Sequence, residues 1–165
     1  MRADTRSPEH RKMKNLLIVY HSQTCRTETL AHAVYRGATD VAIAGVHVRL
    51  LRAGEAGLPE LLWADALILG TPENFGYMSG AMKDFLDRTY YPAQGLVEGL
   101  AYTIFISAGN DGRGAVSAIQ RIARGYPLRE VAEPIIVRGE PDAAALAQCT
   151  ELGMTVAAGL ELGLF

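Results

Sequence analysis

Short apolar runs, each followed by a helical pattern, recur five times from Asn15 onward, and few folds accommodate that alternation. Leu16-Leu17-Ile18-Val19-Tyr20 and Ala66-Leu67-Ile68-Leu69-Gly70 are apolar without interruption. Such runs suit strands covered on both faces, the condition of a parallel sheet between helices. Val46 to Leu51 alternates, as expected nearer a sheet edge; Tyr102 to Ile106 and Ile135-Ile136-Val137 supply the fourth and fifth strands. Helical spacing predicts helices over about Thr27–Arg36, a short turn at Leu58–Trp63, a helix after the loop Thr71 to Ser79 running to about Tyr91, and one after Gly114. The last is expected from Pro141, placed as a first-turn proline, to Leu162. Right-handed crossovers then give an α/β, doubly wound, five-stranded parallel sheet of order 2-1-3-4-5, with helices on both faces.

At 165 residues the chain suits a single domain, expected over 14–165 after a flexible N-terminal extension, Met1 to Met13. That extension is polar and basic, with no apolar core of a secretory signal, and no apolar run approaches the ~18–20 residues that span a bilayer. A cytoplasmic location without membrane contact is the expectation. The formal charge of −2 is spread along the chain, which speaks against nucleic acid as a partner. Cys25 and Cys149 form no metal or CxxC pattern and read as free thiols in a reducing compartment.

In such sheets ligands sit at the carboxyl ends of the strands, where strand order reverses. Three loops leave the central strands there. The first, His21-Ser22-Gln23-Thr24-Cys25-Arg26-Thr27, offers uncharged donors at a helix start, a setting that holds phosphate without lysine. Simple helix capping by Thr24 is the plainer reading. The second, Thr71 to Gly80, contains Pro72, Glu73, Asn74, Phe75 and Gly76; Phe75, Tyr77 and Met78 are placed to cover a flat ring. The third, Ser107-Ala108-Gly109 through Gly112 and Gly114, is flexible enough to aim several N–H groups at a ring edge. Each loop alone also fits an ordinary surface turn. There is no GxxxxGK[ST] and no GxGxxG after the first strand, and a phosphotyrosine-phosphatase loop would need an arginine where Ala31 stands.

Together these residues resemble the flavodoxin-like superfamily, in particular its small NAD(P)H-dependent FMN reductases and quinone-reductase-like members. Tyr20 to Thr24 with Thr27-Glu28 resembles the FMN phosphate loop. Gly70-Thr71-Pro72, Phe75-Gly76, Met78-Ser79-Gly80 and Phe85-Leu86-Asp87-Arg88 resemble the ring loop of the reductases, and Ser107-Ala108-Gly109 the third flavin loop. The resemblance implies non-covalent FMN, with Ser22, Gln23, Thr24, Cys25, Arg26 and Thr27 around the phosphate. It places Pro72, Glu73, Asn74, Phe75 and Gly76 along the ring and Ser107, Ala108 and Gly109 near its pyrimidine side, with Gly112 and Gly114 completing the third flavin loop. Flavin N5 would carry the chemistry, with NADH or NADPH as donor and a small molecule as acceptor. Cys25 replaces a frequent glycine, which matters if that position needs a positive φ. Glu73 stands where the subgroup is less acidic, and beside the ring it would disfavour anionic reduced flavin unless it points to solvent.

Two other functions stay open. An electron-carrier flavodoxin shares these loops but tends to be strongly acidic, unlike this chain. A scaffold that has lost flavin is the other. A phosphoacceptor receiver domain is excluded, because His21-Ser22 and Gly70-Thr71 stand where its acidic residues belong. The apolar tail Leu160 to Phe165 is expected to pack on its own sheet or on a second subunit, and the resemblance to the reductases implies a homo-oligomer, a dimer or tetramer.

Overall fold

The computed structural model describes residues 12–165, so nearly all of the expected N-terminal extension lies outside the described residues. Strands β1 (Lys14–Tyr20), β2 (Val46–Arg52), β3 (Ala66–Asn74) and β5 (Ala101–Ala108) run parallel in the order β2-β1-β3-β5. Beyond β5 the place of a fifth strand is shared by two short pieces, β6 (Arg129–Glu130) and β7 (Ile135–Arg138), both parallel to β5. This is the doubly wound parallel sheet of order 2-1-3-4-5 predicted from the apolar runs, with its fifth strand split in two.

Period-2 alternation divides the core in two. Leu17, Val19, Leu67, Leu69, Ile104 and Ile106 face one side, under α2 (Leu58–Trp63), α3 (Gly80–Ala93) and α4 (Arg113–Gly125). Leu16, Ile18, Ile68 and Phe105 face the other, under α1 (Arg26–Ala38) and α5 (Ala143–Glu161). Every residue of β5 is buried, whereas β2 has no fully buried residue, as its edge position requires.

α1 and α5 pack together unusually closely. A Cβ added to Gly153 would lie 1.9 Å from the Val34 carbonyl oxygen, and one on Gly37 would lie 1.8 Å from that of Thr150. Each helix thus presents a glycine to the other's backbone. α5 is long and apolar enough by composition to cross a membrane, which the uninterrupted-run test did not register. Here Cys149, Leu152, Val156 and Leu160 are buried against α1 and the sheet, as in a core helix. Burial also pushes the Cys149 thiol up to about 11, so it is inert near neutral pH.

Three local expectations need correction. β3 does not stop at Gly70 but continues to Asn74 and folds back through β4 (Tyr77–Met78) as an antiparallel hairpin. Pro141 is not in the first turn of α5: Asp142 is the N-cap, accepting from the Ala145 N–H at 2.8 Å, and Pro141 precedes it. Polar Arg129–Glu130 gave no strand signal, yet it pairs with β5. At the tail, the Phe165 ring packs over Gly159 of α5, while Leu162 and Leu164 remain exposed.

Candidate functional site

The first loop leaves β1 where the His21 N–H donates to the Gly70 carbonyl at 3.0 Å, so the ends of β1 and β3 are joined. Cys25 then takes φ 69° and ψ −6°, and the helix begins at Arg26. A left-handed residue followed by right-handed ones turns successive N–H groups inward, forming an anion-binding nest. Among the described residues, no acceptor serves the N–H groups of residues 23 to 27. Capping by Thr24 does not occur: the N-cap is Cys25, whose side chain caps nothing. Ser22 Oγ instead accepts the Glu28 N–H at 3.2 Å. Thr27 is buried against this rim, while Gln23 and Thr24 are exposed.

Cys25 holds this conformation at a cost. A non-glycine residue in the left-handed region is disfavoured by roughly 1–2 kcal/mol, partly offset by glycine's larger chain entropy when unfolded. Cys25→Gly should therefore raise stability by about 0.5–1 kcal/mol, seen as a Tm increase of roughly 2 °C in a thermal melt. A lowered Tm would mean that the thiol makes a compensating contact.

Side chains tie the first loop to the second, and the second to the third. Asn74 Nδ2 donates to Gln23 Oε1 at 3.3 Å. Glu73 accepts from the N–H groups of Asn110 at 2.9 Å and Gly112 at 2.8 Å. Glu73 therefore points neither to solvent nor freely at a ring; its carboxylate takes up two of the amides expected to face a ligand. The N–H groups of Gly109 and Asp111 have no acceptor among the described residues.

The hairpin tip places Phe75 at φ 53° and Gly76 at φ 69°, the two positive values of a type I′ turn. Phe75 is fully exposed and Tyr77 partly so, whereas Met78 is buried in the core. Strand alternation thus removes Met78 from the residues expected to cover a ring. A Cβ on Gly114 would lie 1.8 Å from the Gly76 carbonyl oxygen, so the hairpin rests on the first turn of α4. Ser79 is the N-cap of α3, accepting the Met82 N–H at 3.3 Å. Its own N–H donates to Thr71 Oγ1 at 3.0 Å, which fixes the base of the hairpin.

Sequence reasoning missed the charges around the first loop. Arg26 Nε donates to Glu140 Oε1 at 2.9 Å, so its guanidinium is turned to the start of α5. Glu28 accepts from Arg52 at 2.9 Å and from the Tyr20 hydroxyl at 3.2 Å. Burial and the nearby Arg52 lower the His21 pKa, which keeps the imidazole neutral at neutral pH. Its buried Nδ1 has no partner among the described residues. Only the β2 register, which brings Arg52 beside Tyr20, creates this cluster. Among the described residues no group of acidic, histidine or cysteine side chains is placed to hold a metal.

Residues 54–127 match the family described as NADPH-dependent FMN reductase, a stretch that includes the hairpin and the third loop. A flavodoxin of Aquifex aeolicus (strain VF5) is 35% identical over 102 residues, which are 62% of this chain and 54% of that protein. The match thus spans about half of that relative's length. A flavodoxin from the domain Archaea superposes with a TM-score of 0.77 at 23% identity, covering 89% of this chain and 99% of that one. A WrbA-like flavodoxin from Agrobacterium tumefaciens gives 0.72 at 23% identity, over 88% and 96%. At these identities the two structures speak for the fold.

Proposed function

We propose that the protein binds FMN at the three loops and acts as an NAD(P)H-dependent oxidoreductase toward a small acceptor such as a quinone or a free flavin. The observation that carries this reading is the nest of uncommitted N–H groups at residues 23 to 27, joined through Gln23–Asn74 and Glu73–Gly112 into one rim. A phosphate fits that donor set: backbone amides at a helix N-terminus, with hydroxyls of Thr24 and Thr27 beside them. Arg26 would join once it exchanges Glu140 for the phosphate. When bound, FMN supplies the redox chemistry at N5. The chain's own part is positional: Glu73 holds the third loop against the second, leaving Gly109 and Asp111 N–H groups for the ring edge.

The match of residues 54–127 to the FMN reductases favours an enzyme. The 35% identity to a flavodoxin, together with the exposed Phe75 at the tip, supports an electron carrier as the second reading. A cytoplasmic location and a homo-oligomeric state go with the first.

The test is titration of the purified protein with FMN, followed by anaerobic addition of NADH or NADPH. Binding accompanied by bleaching supports the reductase; bleaching only through a partner reductase protein supports the carrier. Thr24→Ala with Thr27→Ala should remove two hydrogen bonds to a charged group, about 1.5–3 kcal/mol each, and weaken FMN more than a hundredfold. If FMN neither binds the wild-type protein nor raises its Tm, the flavin reading fails.

A further inference from the structure

We propose that the groove between α3 and α4 holds the adenosine-phosphate portion of a nicotinamide dinucleotide, aligning its far end with the hairpin. This rests on the reductase reading above and locates its electron donor. The groove consists of two adjoining depressions of about 370 and 470 Å³, both lined by Lys83, Arg121 and Ile122. That size falls within the ordinary range for small-molecule sites. One end reaches Tyr77 and Gly114, beneath the hairpin, and the other reaches Tyr90, Tyr91 and Gly125. From Gly114 to Gly125 the groove follows α4 for about 16 Å, comparable with an extended dinucleotide.

Its chemistry changes along that length in the order such a ligand requires. At the far end Tyr90 and Tyr91 meet edge to face with centroids 5.1 Å apart, and Tyr91 is 77% exposed, leaving an aromatic surface for a purine. In the middle Arg121 is exposed and makes no ion pair among the described residues, whereas Lys83 is paired with Asp87 at 2.7 Å. Arg121 is therefore the cation available to a phosphate. Of the three arginines of α4, Arg113, Arg121 and Arg124, the groove is lined by Arg121 and not by the other two. The depression at the sheet edge, about 500 Å³, is lined by Glu133 and Glu151 with no cation beside them, whereas Asp87, the acidic residue that lines the groove, is already paired with Lys83.

The experiment uses FMN-loaded protein with two readouts: calorimetric binding of redox-inert NADP⁺, and the KM for NADPH in anaerobic flavin bleaching. Arg121→Ser should weaken NADP⁺ binding and raise KM by at least about tenfold, with FMN affinity and Tm unchanged. Tyr91→Ala should weaken NADP⁺ several-fold. Lys83→Ser, which removes a cation already neutralised, should have a smaller effect than Arg121→Ser. Wild-type protein that binds FMN, with nucleotide affinity and KM unaltered by Arg121→Ser and Tyr91→Ala, would overturn the groove while leaving the flavin reading intact. So would FMN-loaded protein that binds neither NAD⁺ nor NADP⁺, or Arg121→Ser altering only self-association in sedimentation. Protein that binds no FMN would instead remove the reading on which the groove rests.

Discussion

Gly153→Ala should cost about 3 kcal/mol of folding stability, which lowers Tm by roughly 6–12 °C for a domain of this size. The added methyl would meet backbone on every side: the Val34 carbonyl oxygen at 1.9 Å, its carbon at 2.8 Å and the Ala38 nitrogen at 3.0 Å. None of these is the end of a flexible side chain, so relief requires α1 and α5 to separate. Separation would open the apolar contact among Val34, Ala38, Cys149 and Val156 that closes this face of the sheet. Gly54→Ala is the control, because no atom lies within 4 Å of its added Cβ and its φ is not positive. It should alter stability by less than about 0.5 kcal/mol. Urea unfolding of both variants decides the matter. A Gly153→Ala protein within about 1 kcal/mol of wild type would mean that the two helices are not locked glycine to backbone.

The strands were legible because their apolar runs carry their own burial: Leu16 to Tyr20, Ala66 to Gly70 and Tyr102 to Ile106 need no information beyond themselves. The three loops followed from topology, since ligand-binding loops lie at the strand ends of such sheets. What stayed hidden depends on residues distant in sequence. Asn74 reaches Gln23 across 51 positions and Arg26 reaches Glu140 across 114, and no local pattern marks either pair. Arg129–Glu130 is a strand because β5 offers an unpaired edge, not because its residues favour one. The hairpin had a partial signal in Phe75-Gly76, but Phe at a positive φ is uncommon enough that propensity argues against it. Pro141 misled for a local reason: the Asp142 carboxylate is the stronger N-cap and shifts the helix start past the proline.

Gly114→Ala should disturb the candidate site more selectively. Its methyl would sit 1.8 Å from the Gly76 carbonyl oxygen and 2.9 Å from the carbonyl carbon, so the hairpin must lift away from α4. Lifting the hairpin moves Asn74, and Glu73 at its base, away from Gln23 and from the N–H groups of Asn110 and Gly112. The rim then breaks at both of its junctions, although no residue of the nest at 23 to 27 has changed. Stability should fall by about 2 kcal/mol, within the usual range for forcing an extra carbon into a packed contact. FMN affinity should fall at least tenfold, because the ring edge loses its preorganised amides while the phosphate nest persists. Inorganic phosphate, which requires only the nest, should then compete with FMN more effectively in the variant than in the wild type. Calorimetric titration of both proteins, with and without phosphate, measures the difference. Unchanged FMN affinity in a folded Gly114→Ala protein would place the ring elsewhere and detach the second and third loops from the site.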